Sequence, residues 1–228
     1  MSPTVYLFDI DGTLVTGNGA GRRALKRVFE RRWGRPDALD LVDFGGATDR
    51  GIMREALAAI GVAHDAGAVD EALAEYAAIL PELVGPEGYR PHRGVIAALD
   101  ALRERPGIAL GLGTGNIELG ARAKLAPAGL NPYFAFGGFG SDAEDRGELL
   151  EVGARRGAAR LGAAREACRV LVIGDTPRDV AAARAIGAAC VAVATGWTSA
   201  DDLRAAGADV VVEHLEEAAA LAALLATG

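Results

Sequence analysis

Cysteine and histidine are scarce in this chain, and neither forms a recognisable site. The 228 residues contain two cysteines, Cys168 and Cys190, and three histidines that lie far apart in the sequence. Zinc sites and redox pairs need such residues at short, regular spacing, which is missing here. Cys190 sits in an apolar run, where a small buried hydrophobic side chain is the simpler interpretation. We therefore expect neither a zinc site nor a redox-active cysteine pair.

Long apolar runs and an excess of positive charge are missing as well. No apolar stretch approaches the ~20 residues that a bilayer-spanning helix needs, and residues 1–11 contain no basic segment of the signal-peptide kind. The net charge of −7 disfavours general nucleic-acid binding, although a locally positive pocket for a small phosphorylated ligand is compatible with it. We expect a cytoplasmic monomer or small homo-oligomer that binds neither nucleic acid nor membrane.

Short apolar runs alternate with longer helix-like segments rich in Ala, Leu and Arg. Half of the residues are hydrophobic, and the short runs are continuously apolar, so both faces of each strand should be buried between helices. The pattern predicts a doubly wound, Rossmann-like α/β fold with a parallel sheet. The predicted strands are residues 4–10, 108–112, 169–173, 190–194 and 209–212. The predicted helices between them are residues 95–104, 117–126, 149–161, 179–186 and 200–206.

One segment interrupts this alternation. Between about Val15 and Gly88 no strand is predicted, and three helical patterns cover residues 20–33, 49–60 and 69–83. The run Gly-Pro-Glu-Gly at residues 85–88 has the composition of a return linker. We therefore predict a helical cap at residues 15–85, inserted into a core formed by residues 1–14 and 86–228. The Ala-rich tail after Glu216 is predicted to form a closing helix.

Two aspartates end the first predicted strand. Asp9 and Asp11 lie two positions apart and would face the same side of an extended strand. Two neighbouring carboxylates repel each other unless a cation or a reaction requires them, and Mg²⁺ prefers such oxygen ligands. The pair Asp11-Gly12 is also a hairpin signal, but no return strand follows at hairpin distance. The pattern therefore favours a functional site.

Two further strand ends carry polar residues, and the carboxyl ends of parallel strands share one edge of a sheet. After the second strand, Thr114 is followed by Gly115 and Asn116, a hydroxyl and backbone N–H groups that can cradle a phosphate. The spacing does not fit a dinucleotide site. After the third strand, Asp175 is placed to complete a metal site with the first two aspartates, whereas Asp179 is typical of a helix cap.

In this order the motifs Asp-Ile-Asp-Gly-Thr, Gly-Thr-Gly-Asn and Gly-Asp-Thr-x-x-Asp resemble the haloacid dehalogenase superfamily. The resemblance is to its phosphatases with a small helical cap, and phosphoglycolate phosphatase is among the most similar. It implies that Asp9 is a nucleophile that forms an aspartyl-phosphate, and that Asp11 is the acid and base. It also implies that Asp9, the Asp11 carbonyl and Asp175 hold Mg²⁺, with Asp179 supporting them.

The resemblance further implies that Thr114 binds the phosphoryl oxygens, assisted by Gly115 and Asn116. The chain departs from the family at the lysine that normally neutralises the phosphoryl group. Lys26 falls in the predicted cap, and Lys124 is ten positions beyond Thr114, about 15 Å along a helix. Neither lysine fits this role.

Arg146 stands where the family's lysine usually lies, just ahead of a predicted helix. Its planar fork suits phosphate oxygens, so we predict that Arg146 takes the catalytic role of the lysine. The alternative is a solvated arginine that pairs with one of the aspartates just before it. In the predicted cap, Thr48 and Arg50 open a helix and are candidate substrate contacts, although Thr48 also suits a helix cap.

Three other functions share part of this pattern. A sugar phosphomutase has the same motifs but transfers the phosphoryl group between sugar positions instead of releasing it to water. A carbon–halogen hydrolase needs neither Mg²⁺ nor Asp11 and Asp175. A non-enzymatic metabolite-binding protein is supported only by the missing lysine. The resemblance favours a Mg²⁺-dependent phosphatase that acts on a small-molecule phosphate ester.

Overall fold

A parallel six-stranded sheet forms the centre of the molecule in a computed structural model, which describes residues 2–85 and 89–225. The strands of the sheet are β1 (Thr4–Phe8), β4 (Ile108–Thr114), β5 (Gly137–Phe139), β6 (Arg169–Gly174), β7 (Ala189–Val193) and β8 (Val210–Val212). A separate two-stranded ribbon consists of β2 (Val15–Thr16) and β3 (Arg90–Pro91). The helices are α1 (Ala20–Trp33), α2 (Asp49–Ala59), α3 (Ala66–Leu83), α4 (Val95–Arg103), α5 (Glu118–Leu125), α6 (Arg146–Arg160), α7 (Pro177–Ala185), α8 (Ala200–Ala206) and α9 (Ala218–Leu225).

The strand order of the sheet is β5-β4-β1-β6-β7-β8, with every pair parallel. Phe8, the last residue of β1, pairs with Leu112 of β4 on one side and with Ile173 of β6 on the other. The carboxyl ends of these three strands therefore lie side by side, where the strand order reverses and doubly wound sheets bind ligands. The predicted doubly wound α/β fold is confirmed.

Strand β1 is buried on both faces. Tyr6 and Phe8 pack into one hydrophobic cluster, whereas Val5 and Leu7 pack into a second cluster on the opposite face, with residues of α6 and α7. Alternating side chains thus enter two separate cores, which is why the run is continuously apolar. Helix α6 approaches the sheet closely because Gly157 has no side chain: a Cβ there would lie 2.5 Å from Val5 Cγ1.

The segment between β2 and β3 is helical and contains α1, α2 and α3. Its two ends are joined by the ribbon, in which Val15 pairs with Pro91 and Thr16 with Arg90. The prediction of no strand here was wrong at Val15–Thr16, because a two-residue strand is too short for a periodic signal. The boundaries of a cap at residues 15–85 stay a prediction. Of the predicted return linker, Pro86, Glu87 and Gly88 lie outside the described residues.

Two other differences concern the core. Strand β5 was not predicted, because two of its three residues are glycines, which have low strand propensity. Helix α6 begins three residues earlier than expected because Asp145 caps it, accepting a hydrogen bond from Glu148 N at 2.9 Å. Within residues 2–85 and 89–225, none of the helices combines the length and the apolarity needed to cross a membrane.

Candidate active site

Asp9 follows β1 directly and is the centre of the candidate site. Its backbone N–H donates to Ile173 O at 2.9 Å, and the residue is only 6% exposed. Burial raises the pKa of Asp9 to about 6, partly opposed by Arg146 and reinforced by the charges of Asp179 and Asp11. The Asp9 carboxylate is therefore only lightly solvated and has a cationic partner in Arg146, as suits a nucleophile.

Arg146 is the first residue of α6, and its side chain is buried beside Asp9. Its Nη2 lies 3.1 Å from Asp9 Oδ1. Its Nε and Nη2 lie 2.8 and 2.5 Å from Asp179 Oδ1, and Nη1 donates to Gly46 O at 3.2 Å. Burial opposes its charge, but Asp179 and Asp9 raise the pKa of Arg146, so the guanidinium stays protonated. The alternative of a solvated arginine paired with the preceding aspartates does not fit this placement.

Asp179 is fully buried and serves two structural purposes. Its Oδ2 accepts hydrogen bonds from Thr176 N at 3.0 Å and Thr176 Oγ1 at 2.7 Å, completing a capping box at the start of α7. Its Oδ1 accepts both bonds from Arg146. The helix-capping interpretation of the sequence therefore agrees with the geometry, and Asp179 also orients the guanidinium toward Asp9.

Three buried carboxylates, those of Asp9, Asp175 and Asp179, each present an oxygen within 4.8 Å of the others. Both oxygens of Asp179 already accept hydrogen bonds, which makes Asp9 and Asp175 the better candidates for metal ligands. Burial, followed by the charges of Asp9 and Asp179, raises the pKa of Asp175 to about 8. A divalent cation would relieve this repulsion, and an all-oxygen donor set fits Mg²⁺.

Close backbone approach shapes the surroundings of Asp175. A Cβ at Gly12 would lie 2.3 Å from Asp175 Oδ2, and one at Gly196 would lie 1.8 Å from it. Thr13 Oγ1 donates to Asp175 Oδ1 at 3.0 Å. Glycine at both positions and the hydroxyl of Thr13 fix the carboxylate, and the position of Thr13 in the first sequence motif is the signal that could have identified it.

Asp11 is half-exposed and is held by two donors. Its Oδ2 accepts from Lys124 Nζ at 2.6 Å and from Asn116 Nδ2 at 3.0 Å. The distance argument that placed Lys124 about 15 Å from the site was wrong. The chain turns before α5 begins at Glu118, so Lys124 is only six positions into the helix, and its long side chain points back toward the helix N-terminus.

Lys124 is therefore a residue that sequence reasoning missed. Its Nζ also donates to Asn116 Oδ1 at 2.6 Å. Burial would lower its pKa, but Asp11 and the other acidic groups raise the pKa of Lys124 well above its ordinary value. A signal was available, because Lys124 shares the buried face of α5 with Ala121 and Leu125. A lysine on such a face is rarely buried without a partner.

The predicted phosphate cradle is assembled around Thr114, which is fully buried. Its Oγ1 accepts from Asn116 Nδ2 at 2.8 Å, and Asn116 in turn binds Asp11. Gly115 contacts the helical segment: its carbonyl accepts from Asp49 N at 2.8 Å. The structure thus brings the predicted residues Thr114, Gly115 and Asn116 together with Asp11.

Thr48 and Arg50, the predicted substrate contacts of the cap, are not in the cavity wall. Thr48 caps α2, accepting from Gly51 N at 3.1 Å, and Arg50 pairs with Asp70 at 2.5 Å. Asp49 between them does line the cavity, and its Oδ2 accepts from Ile117 N at 2.9 Å. Adjacent residues at a helix start point in different directions, and the sequence pattern could not say which one faces inward.

A cavity of about 550 Å³ lies between the sheet edge and the helical segment. Its lining includes the candidate site residues Asp9, Asp11, Thr114, Lys124, Arg146 and Asp175. Two buried polar atoms in its lining, Tyr76 OH and His92 Nε2, have no hydrogen-bond partner among the described residues. The candidate site therefore combines buried carboxylates that could hold a metal ion, two cations and room for a small molecule.

The chain is similar to known proteins over nearly its whole length. The probable phosphatase IndB of Dickeya dadantii (strain 3937) is 29% identical over 226 residues, which cover 95% of this chain and 92% of that protein. CbbY from Rhodobacter sphaeroides in complex with phosphate superposes with a TM-score of 0.70 at 18% identity, covering 97% of this chain and 99% of CbbY. A hydrolase from Pseudomonas syringae gives 0.68 at 20% identity, covering 92% and 94%.

The two structural similarities bear on the fold alone. A family model described as haloacid dehalogenase-like hydrolase matches residues 3–187. That match covers most of the chain and includes Asp9, Thr114, Arg146 and Asp175 in one domain. The superfamily predicted from the motifs is confirmed, and the narrower similarity to phosphoglycolate phosphatase stays a prediction. The chain belongs to the haloacid dehalogenase-like hydrolases.

Proposed function

We propose that this hydrolase is a Mg²⁺-dependent phosphatase that cleaves a small-molecule phosphate monoester through an aspartyl-phosphate on Asp9. The observation that carries the proposal is the surroundings of the Asp9 carboxylate. It is buried, faces a small-molecule cavity and lies 3.1 Å from the Arg146 guanidinium. Asp175 lies beside it and Asp11 lines the same cavity. The similarity to the probable phosphatase IndB supports the same reaction class.

In the first half of the proposed reaction, an oxygen of Asp9 attacks the phosphorus and the ester P–O bond breaks. Arg146 stabilises the charge on the equatorial phosphoryl oxygens, and the Thr114 hydroxyl supplies a further hydrogen bond. Asp11 transfers its proton to the departing alkoxide. Lys124 and Asn116 both bind Asp11 Oδ2, which leaves Oδ1, on the side of Gly17, for this proton transfer.

In the second half, water attacks the phosphorus of the aspartyl-phosphate. Asp11, now ionised, takes the proton of the water, and the bond between the phosphorus and Asp9 breaks to release inorganic phosphate. The fixed position of Asp11 suits both steps, because the same carboxyl must face the leaving group first and the water later. Asp9 is regenerated as a carboxylate beside Arg146.

Asp9, the Asp11 backbone carbonyl and Asp175 would hold Mg²⁺, which neutralises negative charge on the phosphoryl oxygens when it is bound. The pair Asp11 and Asp175 also argues against carbon–halogen hydrolysis, which needs neither. A phosphomutase would use the same residues and differs in the acceptor of the phosphoryl group, so product analysis distinguishes the two.

The test is phosphate release from a panel of small phosphate esters that includes phosphoglycolate and sugar monophosphates. We expect release in Mg²⁺, loss of release in EDTA, and loss in Asp9→Asn, which keeps the shape of the side chain but not the nucleophile. Arg155→Ala, an exposed change on α6, serves as the control. Release that survives in Asp9→Asn, or transfer of phosphate between sugar positions without release, would overturn the proposal.

A further inference from the structure

The hydroxyl of Tyr76 is an unexplained polar group in the wall of the active-site cavity. Tyr76 lies in α3, and its side chain is fully buried. No residue within 2–85 or 89–225 accepts from or donates to its OH. A buried hydroxyl without a partner destabilises the fold relative to phenylalanine at the same position. The hydroxyl thus lacks a partner among the described residues, and a ligand in the cavity can supply one.

The Tyr76 hydroxyl and the Lys124 ammonium face the same small space. A Cβ placed on Gly21 would lie 3.4 Å from Lys124 Nζ and 3.5 Å from Tyr76 OH. Glycine at position 21, at the start of α1, keeps this space free. Lys124 donates to Asp11 and to Asn116, and an ammonium has a third N–H. The Tyr76 hydroxyl and the third N–H of Lys124 can therefore both donate to a ligand in this space, which lies beside Asp11, the proposed acid for the leaving group.

The charge around this space is already balanced. Lys124 pairs with Asp11. Asp49 lies close to the ring of Tyr76, since a Cβ on Gly120 would be 3.6 Å from Asp49 Oδ2 and 3.4 Å from Tyr76 Cε1. Arg22, the cation that the helical segment adds to the cavity wall, pairs with Asp40 at 2.9 Å. A carboxylate here would be one more negative charge beside Asp49, and beside Asp11 whenever that acid is ionised, whereas a neutral oxygen meets no such repulsion.

We propose that Tyr76 and Lys124 form a leaving-group subsite that binds a neutral hydroxyl of the substrate, close to the phosphoester. This inference rests on the proposed function, because the substrate must enter with its phosphoryl group at Asp9. It narrows the substrate class to hydroxylated phosphate monoesters and disfavours esters with a carboxylate at this position. Tyr76 is the residue that discriminates, since a phenylalanine there would keep the shape and lose the hydrogen bond.

Three esters on the same two-carbon frame test the subsite: ethyl phosphate, 2-hydroxyethyl phosphate and phosphoglycolate. They differ in a methyl, a hydroxymethyl or a carboxylate at one end. We expect the wild-type enzyme to favour 2-hydroxyethyl phosphate over ethyl phosphate by on the order of tenfold in kcat/KM, the size of one hydrogen bond made in the transition state. In Tyr76→Phe the ratio should fall severalfold, with Lys124 left as the one donor of the subsite.

Tyr6→Phe is the matched control, because the Tyr6 hydroxyl is buried outside the cavity and donates to Leu224 O. It should keep the wild-type ratio and lower the melting temperature, since it removes a paired group. Tyr76→Phe should melt no lower than wild type. A lower melting temperature for Tyr76→Phe would mean that the hydroxyl has a partner within the protein and would overturn the subsite.

The kinetic outcomes separate the subsite from the proposed function. Turnover of all three esters with an unchanged ratio in Tyr76→Phe would overturn the subsite and leave the phosphatase intact. Preference for phosphoglycolate, reduced by Tyr76→Phe, would replace the neutral ligand by an anionic one and also contradict the proposal. Absence of Mg²⁺-dependent turnover of every ester would overturn the proposed function itself, and the subsite with it.

Discussion

Arg146 links the proposed nucleophile, Asp9, to Asp179, the residue that holds the guanidinium in place. Its Nη2 contacts both Asp9 and Asp179, its Nε also donates to Asp179 Oδ1, and the other oxygen of Asp179 caps α7. A buried arginine between two carboxylates is stable only because each charge has a partner. The same arrangement aims a rigid cation at the position of the phosphoryl oxygens, which a flexible surface arginine could not do.

Arg146→Ala should lower kcat/KM by about 10²–10³-fold, because a preorganised cation at the phosphoryl group is lost. It should also lower the melting temperature, since Asp179 is left buried without its partner. Arg146→Lys keeps the charge and loses the fork, so an intermediate kcat/KM is expected. Steady-state kinetics on one good ester, with circular dichroism to confirm folding, make the measurement. A folded Arg146→Ala with unchanged kcat/KM would show that the catalytic assignment is wrong.

The turn before α2 and the loop between β4 and α5 form one closely packed contact. Asp49 N donates to Gly115 O, and Asp49 Oδ2 accepts from Ile117 N. One backbone and one side-chain hydrogen bond of Asp49 therefore hold the helical segment against the phosphate cradle. Nearby, Arg146 donates to Gly46 O. The contact fixes the position of the helical side of the cavity relative to Asp9, although α2 and the β4–α5 loop are distant in sequence.

Gly115→Ala should disturb this contact, because a Cβ at Gly115 would lie 2.5 Å from Ala47 O and 2.9 Å from Thr48 Cα. The methyl group has to push the turn away from the cradle. We expect kcat/KM to fall by on the order of tenfold or more through misplacement of the site. Gly85→Ala is the control, since a Cβ there meets no described atom within 4 Å. Equal kcat/KM for the two variants would contradict the role of the contact.

The sequence predicted elements with strong local signals and missed those that depend on distant contacts. The apolar runs located five of the six sheet strands, and polar residues at their ends located Asp9, Thr114 and Asp175. Strand β5 escaped because glycines carry no strand signal, although they allow α6 to pack closely: a Cβ at Gly138 would lie 1.7 Å from Leu149 O. Lys124 and Tyr76 escaped because only the folded chain shows which space a buried side chain faces.

At the scale of the whole molecule, the concentration of buried acids at one sheet edge opposes folding at high pH. Burial raises the pKa of Asp9 and of Asp49 to about 6, and burial and neighbouring charges raise that of Asp175 to about 8. A carboxyl whose pKa is raised in the folded state stabilises the fold while it is protonated. That stabilisation is lost as the pH rises through the folded-state values.

The melting temperature in EDTA should therefore fall between pH 5.5 and pH 8.5, corresponding to a loss on the order of a few kcal/mol of unfolding free energy. Mg²⁺ should raise it most at the upper end of this range, because the cation binds the ionised carboxylates of the folded state. Asp175→Asn should show a weaker decline with pH and little response to Mg²⁺. A melting temperature that rises steadily with pH in EDTA would contradict this account of the acid cluster.

The central claim is that Asp9 itself receives the phosphoryl group. Its most direct test is rapid acid quenching of the enzyme during turnover of a good ester in Mg²⁺, followed by peptide mass spectrometry. We predict one phosphoryl group on the peptide that contains Asp9, formed before phosphate is released and absent in Asp9→Asn. Phosphate release at the full rate with no phosphoryl group on that peptide would show that water attacks the ester directly, and the account would be wrong.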